Sequence, residues 1–260
     1  MTYTRAIGVA SNKVIRLIVR ALALSKINPN VLTFLGLVIN IVAATFLAIG
    51  SFRTAGFVIV FAGLFDMVDG RVARATNQVT RFGGFFDSVL DRYSDLALLM
   101  GLLVYYGTIN RPFYVVLTAI VMTASVMISY TRTRAENIIP TCKVGFMERP
   151  ERIVLFMIGA VTNRMAAVLW VVLGLSILAV ANRIYYTFLA LNRLPMPSRD
   201  GVTGFFNRAF FWTDERATLP YDLWVIAILA FVWCTPPEWL GDPMAAGPGL
   251  IGWIAARFVN

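Results

Sequence analysis

A chain of 260 residues with a net charge of +9, 58% hydrophobic residues, 14% charged residues and a mean hydropathy of +0.73 lies outside the soluble range of roughly 45–50% apolar and roughly 25% charged residues. That composition excludes a disordered segment or an ordinary soluble domain and indicates an all-α polytopic membrane protein, whose basic excess belongs to cytoplasmic loops and anionic headgroups and not to nucleic acid. There is no histidine, and the two cysteines, Cys142 and Cys234, are far apart, which removes imidazole-bound zinc, the Ser-His-Asp triad and a disulfide framework and leaves acid–base work to carboxylates.

Residues 3–26 read as an amphipathic helix lying in the membrane interface, with Lys13, Arg16 and Arg20 recurring every three to four residues. The same charges interrupt any signal-peptide core. Asn28-Pro29-Asn30 breaks this helix, and Asn30 is the predicted cap of a first spanning helix over about 31–50. Further spans are predicted over about 54–76, 83–107, 112–134, 150–162 and 165–191. The fifth is short for a crossing that needs ~20 residues, so its start is expected near Phe146. Residues 29–193 would then form a six-helix domain, with the amphipathic helix (1–28) before it and a C-terminal extension (194–260) after it. In that extension Pro195 and Pro197 end the sixth helix, 205–212 (FFNRAFFW) reads as an aromatic-basic interfacial piece, 219–235 offers a seventh span, and 248–259 is too short for an eighth.

Lys and Arg alternate with this count of helices. Nineteen of the 23 fall in the N-terminal helix and on one side of the spans, Arg53, Arg111 and Arg164 fall on the other, and Arg257 is unassigned. By the positive-inside rule, residues 66–91 lie at the cytoplasmic ends of the second and third helices.

That stretch, DMVDGRVARATNQVTRFGGFFDSVLD, carries the chemistry. Asp66 and Asp69 are three apart and Asp87 and Asp91 four apart, so each pair shares a helix face, and if the helices face each other four carboxylates converge. An isolated charge at the bilayer centre costs about 2.5–3.5 kcal/mol on an insertion scale, so these groups require a counter-charge. Oxygen-only donors select hard cations such as Mg²⁺, Mn²⁺ or Ca²⁺ over zinc, and two ions would clamp a phosphoryl group. Gly70 and Ala73 leave room for a ligand, and Arg74 suits a phosphate. The competing reading is a cation transporter that uses the carboxylates as a proton or sodium relay.

The spacing Asp66-x-x-Asp69-Gly70-x-x-Ala73-Arg74, eight residues, Gly83, three residues, Asp87, three residues, Asp91 resembles the signature of the CDP-alcohol phosphotransferases, membrane enzymes with six core helices. The likeness covers residues 1–193 and leaves the C-terminal quarter unmatched. It implies a site for two divalent cations, Mg²⁺ or Mn²⁺, on Asp66, Asp69, Asp87 and Asp91, with Asp91 also deprotonating the acceptor hydroxyl. Asn30, Thr33, Gly70, Ala73, Arg74 and Gly83 would contact the nucleotide of a CDP-lipid, and CMP would leave. The resemblance further implies a homodimer in the cytoplasmic membrane of a prokaryote, with the active site facing the cytoplasm.

A second basic group ends the fourth helix and opens the fifth: Ser129-Tyr130-Thr131-Arg132-Thr133-Arg134-Ala135-Glu136 and Glu148-Arg149-Pro150-Glu151-Arg152. Its arginines are expected to face the cavity of the carboxylates; serving only topology and anionic headgroups is the alternative. These runs resemble those of phosphatidylinositol-phosphate synthases and the similar archaetidylinositol-phosphate enzymes, which implies an inositol phosphate acceptor held by Ser129, Arg132, Arg134, Arg152 and Arg183. Arg132 stands where a lysine is often found, a change of hydrogen-bonding geometry that leaves glycerol 3-phosphate as the alternative acceptor. Asp95 continues the face of Asp87 and Asp91 but is expected to pair with an arginine and stay outside the site.

Overall fold

The structure, a computed structural model, describes residues 28–195, 204, 207 and 218–242. The helix predicted over 3–26, the segment 205–212 apart from Asn207, and 248–259 lie outside the described residues. All regular structure among the described residues is helical: α1 (Pro29–Ala48), α2 (Phe52–Ala75), α3 (Arg81–Thr108), α4 (Pro112–Glu136), α5 (Arg149–Thr162), α6 (Met165–Leu191), α7 (Leu219–Cys234) and α8 (Pro237–Leu240). Among the described residues, α1, α4 and α6 are long and apolar enough to cross a membrane. α2 and α3 have the length, at 24 and 28 residues, but carry the acidic and basic side chains of the central stretch.

Local chemistry sets the helix ends that matter for the site. Asn28 accepts the Asn30 N–H on its side chain at 2.9 Å, and Pro29 takes the first helical position, where its missing N–H is no loss. The cap is therefore Asn28, not the predicted Asn30, because Pro29 starts the helix two residues earlier than expected. α2 ends at Ala75 and is closed by Asn77, which holds φ 55°, with Gln78 N–H donating to the Ala73 carbonyl at 2.8 Å, a left-handed C-terminal cap. Thr80 then caps α3 by accepting the Gly83 N–H at 2.9 Å.

α5 corrects the expectation of a start near Phe146. It begins at Arg149 with Pro150 in its first turn and spans 14 residues. Gly145 (φ 87°) and Met147 (φ 72°) lie in the left-handed region, which no right-handed helix can include. α6 ends at Leu191, ahead of Pro195; Arg193 turns left-handed (φ 52°) and Leu194 N–H returns to the Leu189 carbonyl at 3.0 Å. α7 matches the predicted seventh apolar segment but, at 16 residues, is shorter than a full crossing.

The described helices fall into two compact units. The first comprises residues up to Val115 with Phe156–Asn163. Within it α1 packs on both α2 and α3, and Gly101 allows α1 and α3 to approach closely: a Cβ there would stand 2.3 Å from the Ala44 carbonyl oxygen. One end of this unit is closed by aromatic rings, Phe52 edge-on to Tyr105 with centroids 4.9 Å apart and Tyr106 stacked on Tyr114 at 4.9 Å. Such pairs contribute about 0.5–1.5 kcal/mol each beyond their buried area. The opposite end, where α1 begins, α2 ends and α3 begins, is the polar one.

The second unit comprises Val116–Leu155 and the described residues from Arg164 onward. Its core includes Ala135, Ile139, Cys142 and Val144, backed by Tyr186 and Ala190. The connection from α4 to α5 is partly buried, so its carbonyls need donors. Two buried arginines supply them: Arg183 donates Nε to the Val144 carbonyl at 3.1 Å and Arg152 donates Nη1 to the Met147 carbonyl at 2.8 Å, while Arg183 Nη1 ties the connection to α4 through the Ile128 carbonyl. α7 is held by Arg164, whose Nη1 donates to the Thr235 carbonyl at 3.2 Å, and by Tyr221, edge-on to Phe146 with its hydroxyl 3.4 Å from Glu151.

Candidate active site

The polar end of the first unit encloses a cavity of about 230 Å³. α1 contributes Asn30 and Thr33, α2 contributes Asp69, Gly70, Ala73 and Arg74, and α3 with its cap contributes Thr80, Gly83 and Asp87. Eight residues singled out from the sequence thus share one cavity, though they span 58 positions of chain, from Asn30 to Asp87. Helix periodicity explains part of this. Gly70, Ala73 and Arg74 are three to four apart on one face of α2, and Gly83 and Asp87 are four apart on α3.

Asp69 is the most deeply set of these carboxylates, 5% exposed. Its Oδ2 accepts the Thr33 hydroxyl at 2.7 Å and its Oδ1 accepts the Gly70 N–H, so α1 and α2 together orient it. Asp66 and Asp87 are its charged neighbours. Arg74, exposed in the last turn of α2, faces the cavity with a charge that also suits a helix C-terminus. At Gly83 a Cβ would come within 3.1 Å of Thr80 Oγ1 and 3.3 Å of Asn30 Oδ1, so the missing side chain lets α1 and α3 meet there.

Asp66 and Asp91, both half-buried, do not line the cavity, and Asp95 is buried. Among the described residues no three acidic or cysteine side chains are gathered closely enough to enclose a cation. Like charges this near repel one another, which opposes gathering without a counter-ion. The donors nonetheless suit a hard divalent cation: all are carboxylates, two share a cavity wall, and each of the others lies one turn away on the same helix.

The acceptor residues expected from the sequence all belong to the second unit. Arg152 and Arg183, each 2% exposed, point into the fold and donate to backbone carbonyls. Arg132 is held between two carboxylates, Glu148 Oε1 at 2.6 Å and Glu136 Oε1 at 3.1 Å. Arg134 is exposed in the last turn of α4, and Ser129 is half-buried with its carbonyl accepting the Thr133 hydroxyl at 3.1 Å.

Sequence reasoning missed Thr80, Gln78 and Gly84 on the cavity wall. Thr80 was findable, since Thr is a preferred N-cap residue and stands just before the predicted start of the third helix. It also missed that Glu136 and Glu148 hold Arg132. The spacing of four between Arg132 and Glu136 was a visible clue to the first, whereas Glu148 lies 16 residues away and gave none.

Residues 26–190 match the family described as CDP-alcohol phosphatidyltransferase. The chain is 36% identical over 167 residues to the archaetidylinositol phosphate synthase of Pyrococcus horikoshii, a match covering 64% of this chain and 86% of that one. It superposes on the phosphatidylinositol phosphate synthase of Mycobacterium tuberculosis crystallised with CDP-DAG bound, with a TM-score of 0.64, 29% identity, and 72% and 99% of the two chains covered. The manganese and citrate complex of that enzyme gives a TM-score of 0.63 at 30% identity, covering 72% of this chain and 96% of that one.

Proposed function

The chain belongs to the CDP-alcohol phosphatidyltransferase family, and from that premise we propose that it transfers the phosphatidyl group of a CDP-lipid such as CDP-diacylglycerol to a hydroxyl of an inositol phosphate, releasing CMP. The observation that carries this reading is the cavity at the start of α1, where Asp69 and Asp87 share a wall with Arg74 and with the small residues Gly70, Ala73 and Gly83. A cation pathway has no need of an arginine and three small residues beside its carboxylates; a nucleotide pyrophosphate does. The relatives point to the acceptor, since those compared are named for making inositol phosphate lipids.

In this mechanism Asp66, Asp69, Asp87 and Asp91 hold two divalent cations, Mg²⁺ or Mn²⁺. When bound, the cations supply charge neutralisation at the pyrophosphate and at the departing CMP. Asn30, Thr33, Gly70, Ala73, Arg74 and Gly83 bind the nucleotide, and Arg74 grips a phosphate. Thr33 keeps the Asp69 carboxylate oriented through its hydroxyl. Asp91 takes the proton of the acceptor hydroxyl, whose oxygen forms a bond to the lipid-linked phosphorus as the anhydride bond breaks and its electron pair leaves with CMP. Ser129, Arg132, Arg134, Arg152 and Arg183 serve the acceptor phosphate: Arg134 and Arg132 as cations for it, Arg152 and Arg183 by fixing the 144–147 backbone that they bond. The domain formed by α1–α6 is embedded in the cytoplasmic membrane with residues 66–91 on the cytoplasmic side, and the enzyme works as a homodimer.

Purified protein incubated with CDP-diacylglycerol, Mn²⁺ or Mg²⁺ and each acceptor in turn tests the reading. CMP is expected with inositol phosphate. CMP with glycerol 3-phosphate alone would overturn the acceptor assignment, and ion flux into vesicles without any CMP release from CDP-lipid would overturn the reaction.

A further inference from the structure

α1 is an apolar helix of 20 residues with a glycine, Gly36, buried in its interior. Glycine inside a helix is destabilising relative to alanine, so its presence asks for a reason. A Cβ built on Gly36 would stand 2.9 Å from Oδ1 of Asp66 on α2, and among the described residues the only other atom near it, Phe65 Cβ at 3.9 Å, is at ordinary contact distance. One turn later the buried Asn40 donates Nδ2 to the Gly36 carbonyl at 3.0 Å, tying the backbone at this point, while its own Oδ1 has no hydrogen-bond partner among the described residues.

We propose that Gly36 is a positioning residue for the carboxylate site: the space left by its absent side chain is the seat of the Asp66 carboxylate, so the backbone of α1 sets where that carboxylate points. This rests on the reading of Asp66 as a cation ligand. The contrast with Gly101 shows why the role is positional and not one of packing. A Cβ at Gly101 would run into the Ala44 backbone, which cannot move without parting two helices. A Cβ at Gly36 meets only the end of a flexible side chain, so the fold accommodates alanine by turning Asp66 aside. α1 already reaches the neighbouring carboxylate from the same face, through Thr33 to Asp69. Gly36 extends that control by one turn.

The two roles predict opposite signs. As a seat for Asp66, Gly36→Ala keeps or raises the thermal midpoint of the cation-free protein, through the better helix former, and weakens cation binding by about 10-fold or more, the range in which groups that orient a metal ligand act. As a packing glycine it lowers the midpoint and leaves affinity alone.

The experiment titrates Mn²⁺ into purified full-length protein, following free Mn²⁺ by electron paramagnetic resonance, alongside thermal unfolding without metal. Four proteins are compared: wild type, Gly36→Ala, Asp66→Asn, and Gly63→Ala, where a Cβ would meet nothing within 4 Å. Weak Mn²⁺ binding by Gly36→Ala and by Asp66→Asn, with wild-type binding by Gly63→Ala and no fall in the Gly36→Ala midpoint, supports the proposal. Wild-type Mn²⁺ affinity in Gly36→Ala beside weak binding in Asp66→Asn overturns it, as does a lowered Gly36→Ala midpoint with unchanged affinity. Wild-type affinity in Asp66→Asn would overturn the reading of Asp66 as a ligand, and the proposal with it.

Discussion

In the unit built on α1, α2 and α3, Asp69, Asp87 and Arg74 line a cavity. In the unit that contains α6, Arg152 and Arg183 are buried and bonded to backbone carbonyls, and Arg132 is clasped by Glu136 and Glu148. Both sets of charges stood out in the sequence as site residues, yet only the first lines a cavity, while these three arginines of the second are taken up by carbonyls and carboxylates. A buried carboxylate beside others of its kind is strained until a cation or a ligand arrives, whereas an arginine with five donors can satisfy loop carbonyls and so become part of the scaffold. Charge in an apolar chain therefore marks function reliably only where the fold does not consume it.

That contrast can be broken in the order of the effects it predicts. Asp91→Asn, in the first unit, should lower the rate of CMP release by about 10² to 10⁴, the usual contribution of a positioned base, with the thermal midpoint little changed. Retention of full turnover would remove Asp91 from the mechanism. Arg183→Met, in the second unit, should act mainly on stability. It leaves the buried Val144 carbonyl without its donor, while the Ile128 carbonyl keeps the Thr131 hydroxyl, so the loss is about 1–3 kcal/mol, read as a fall on the order of 5 °C in the midpoint of a detergent-solubilised sample. A variant with an unchanged midpoint but a raised KM for the acceptor would show that Arg183 contacts the ligand and is not scaffold.

Glu148→Gln sharpens the comparison at a half-exposed pair. Stability should change by less than about 1 kcal/mol, and KM for a phosphorylated acceptor should fall a few-fold because Arg132 loses a competing carboxylate at 2.6 Å. A rise in KM would mean that Glu148 positions Arg132 for the acceptor. The smallest effect concerns Cys142, fully buried in the connection that Arg183 secures. Burial pushes its thiol above the ordinary range and outweighs the nearby Arg183 cation. A raised pKa means less thiolate at any given pH, so alkylation by maleimide near pH 8 should reach the half-buried Cys234 first and Cys142 only on unfolding. Arg183→Met should hasten the second reaction, as mass spectrometry of the labelled protein would show.

The family and the helical layout were legible in the sequence because both rest on short-range rules. Spacings of three and four put Asp66 with Asp69 and Asp87 with Asp91 on shared faces, and apolar runs bounded by Pro, Gly and Asn located α1–α6 within a few residues. Errors arose where two local signals competed. Asn28 and Asn30 both suit a cap, and Pro29 between them decides for Asn28; hydropathy pulled the start of α5 back towards Phe146, while the left-handed backbone at Gly145 and Met147 holds it at Arg149.

By itself, then, the amino-acid sequence determined which helices form and which charged residues share a helix face, since a helix sets those relations within one turn. Tertiary structure alone decided the encounters between helices. These are Thr33 with Asp69, Asn30 with Gly83, Gly36 with Asp66, and Arg183 with carbonyls 39 and 55 residues away. They depend on how helix ridges interlock and on where a missing Cβ lets one backbone approach another, and no periodicity along a single chain carries that information.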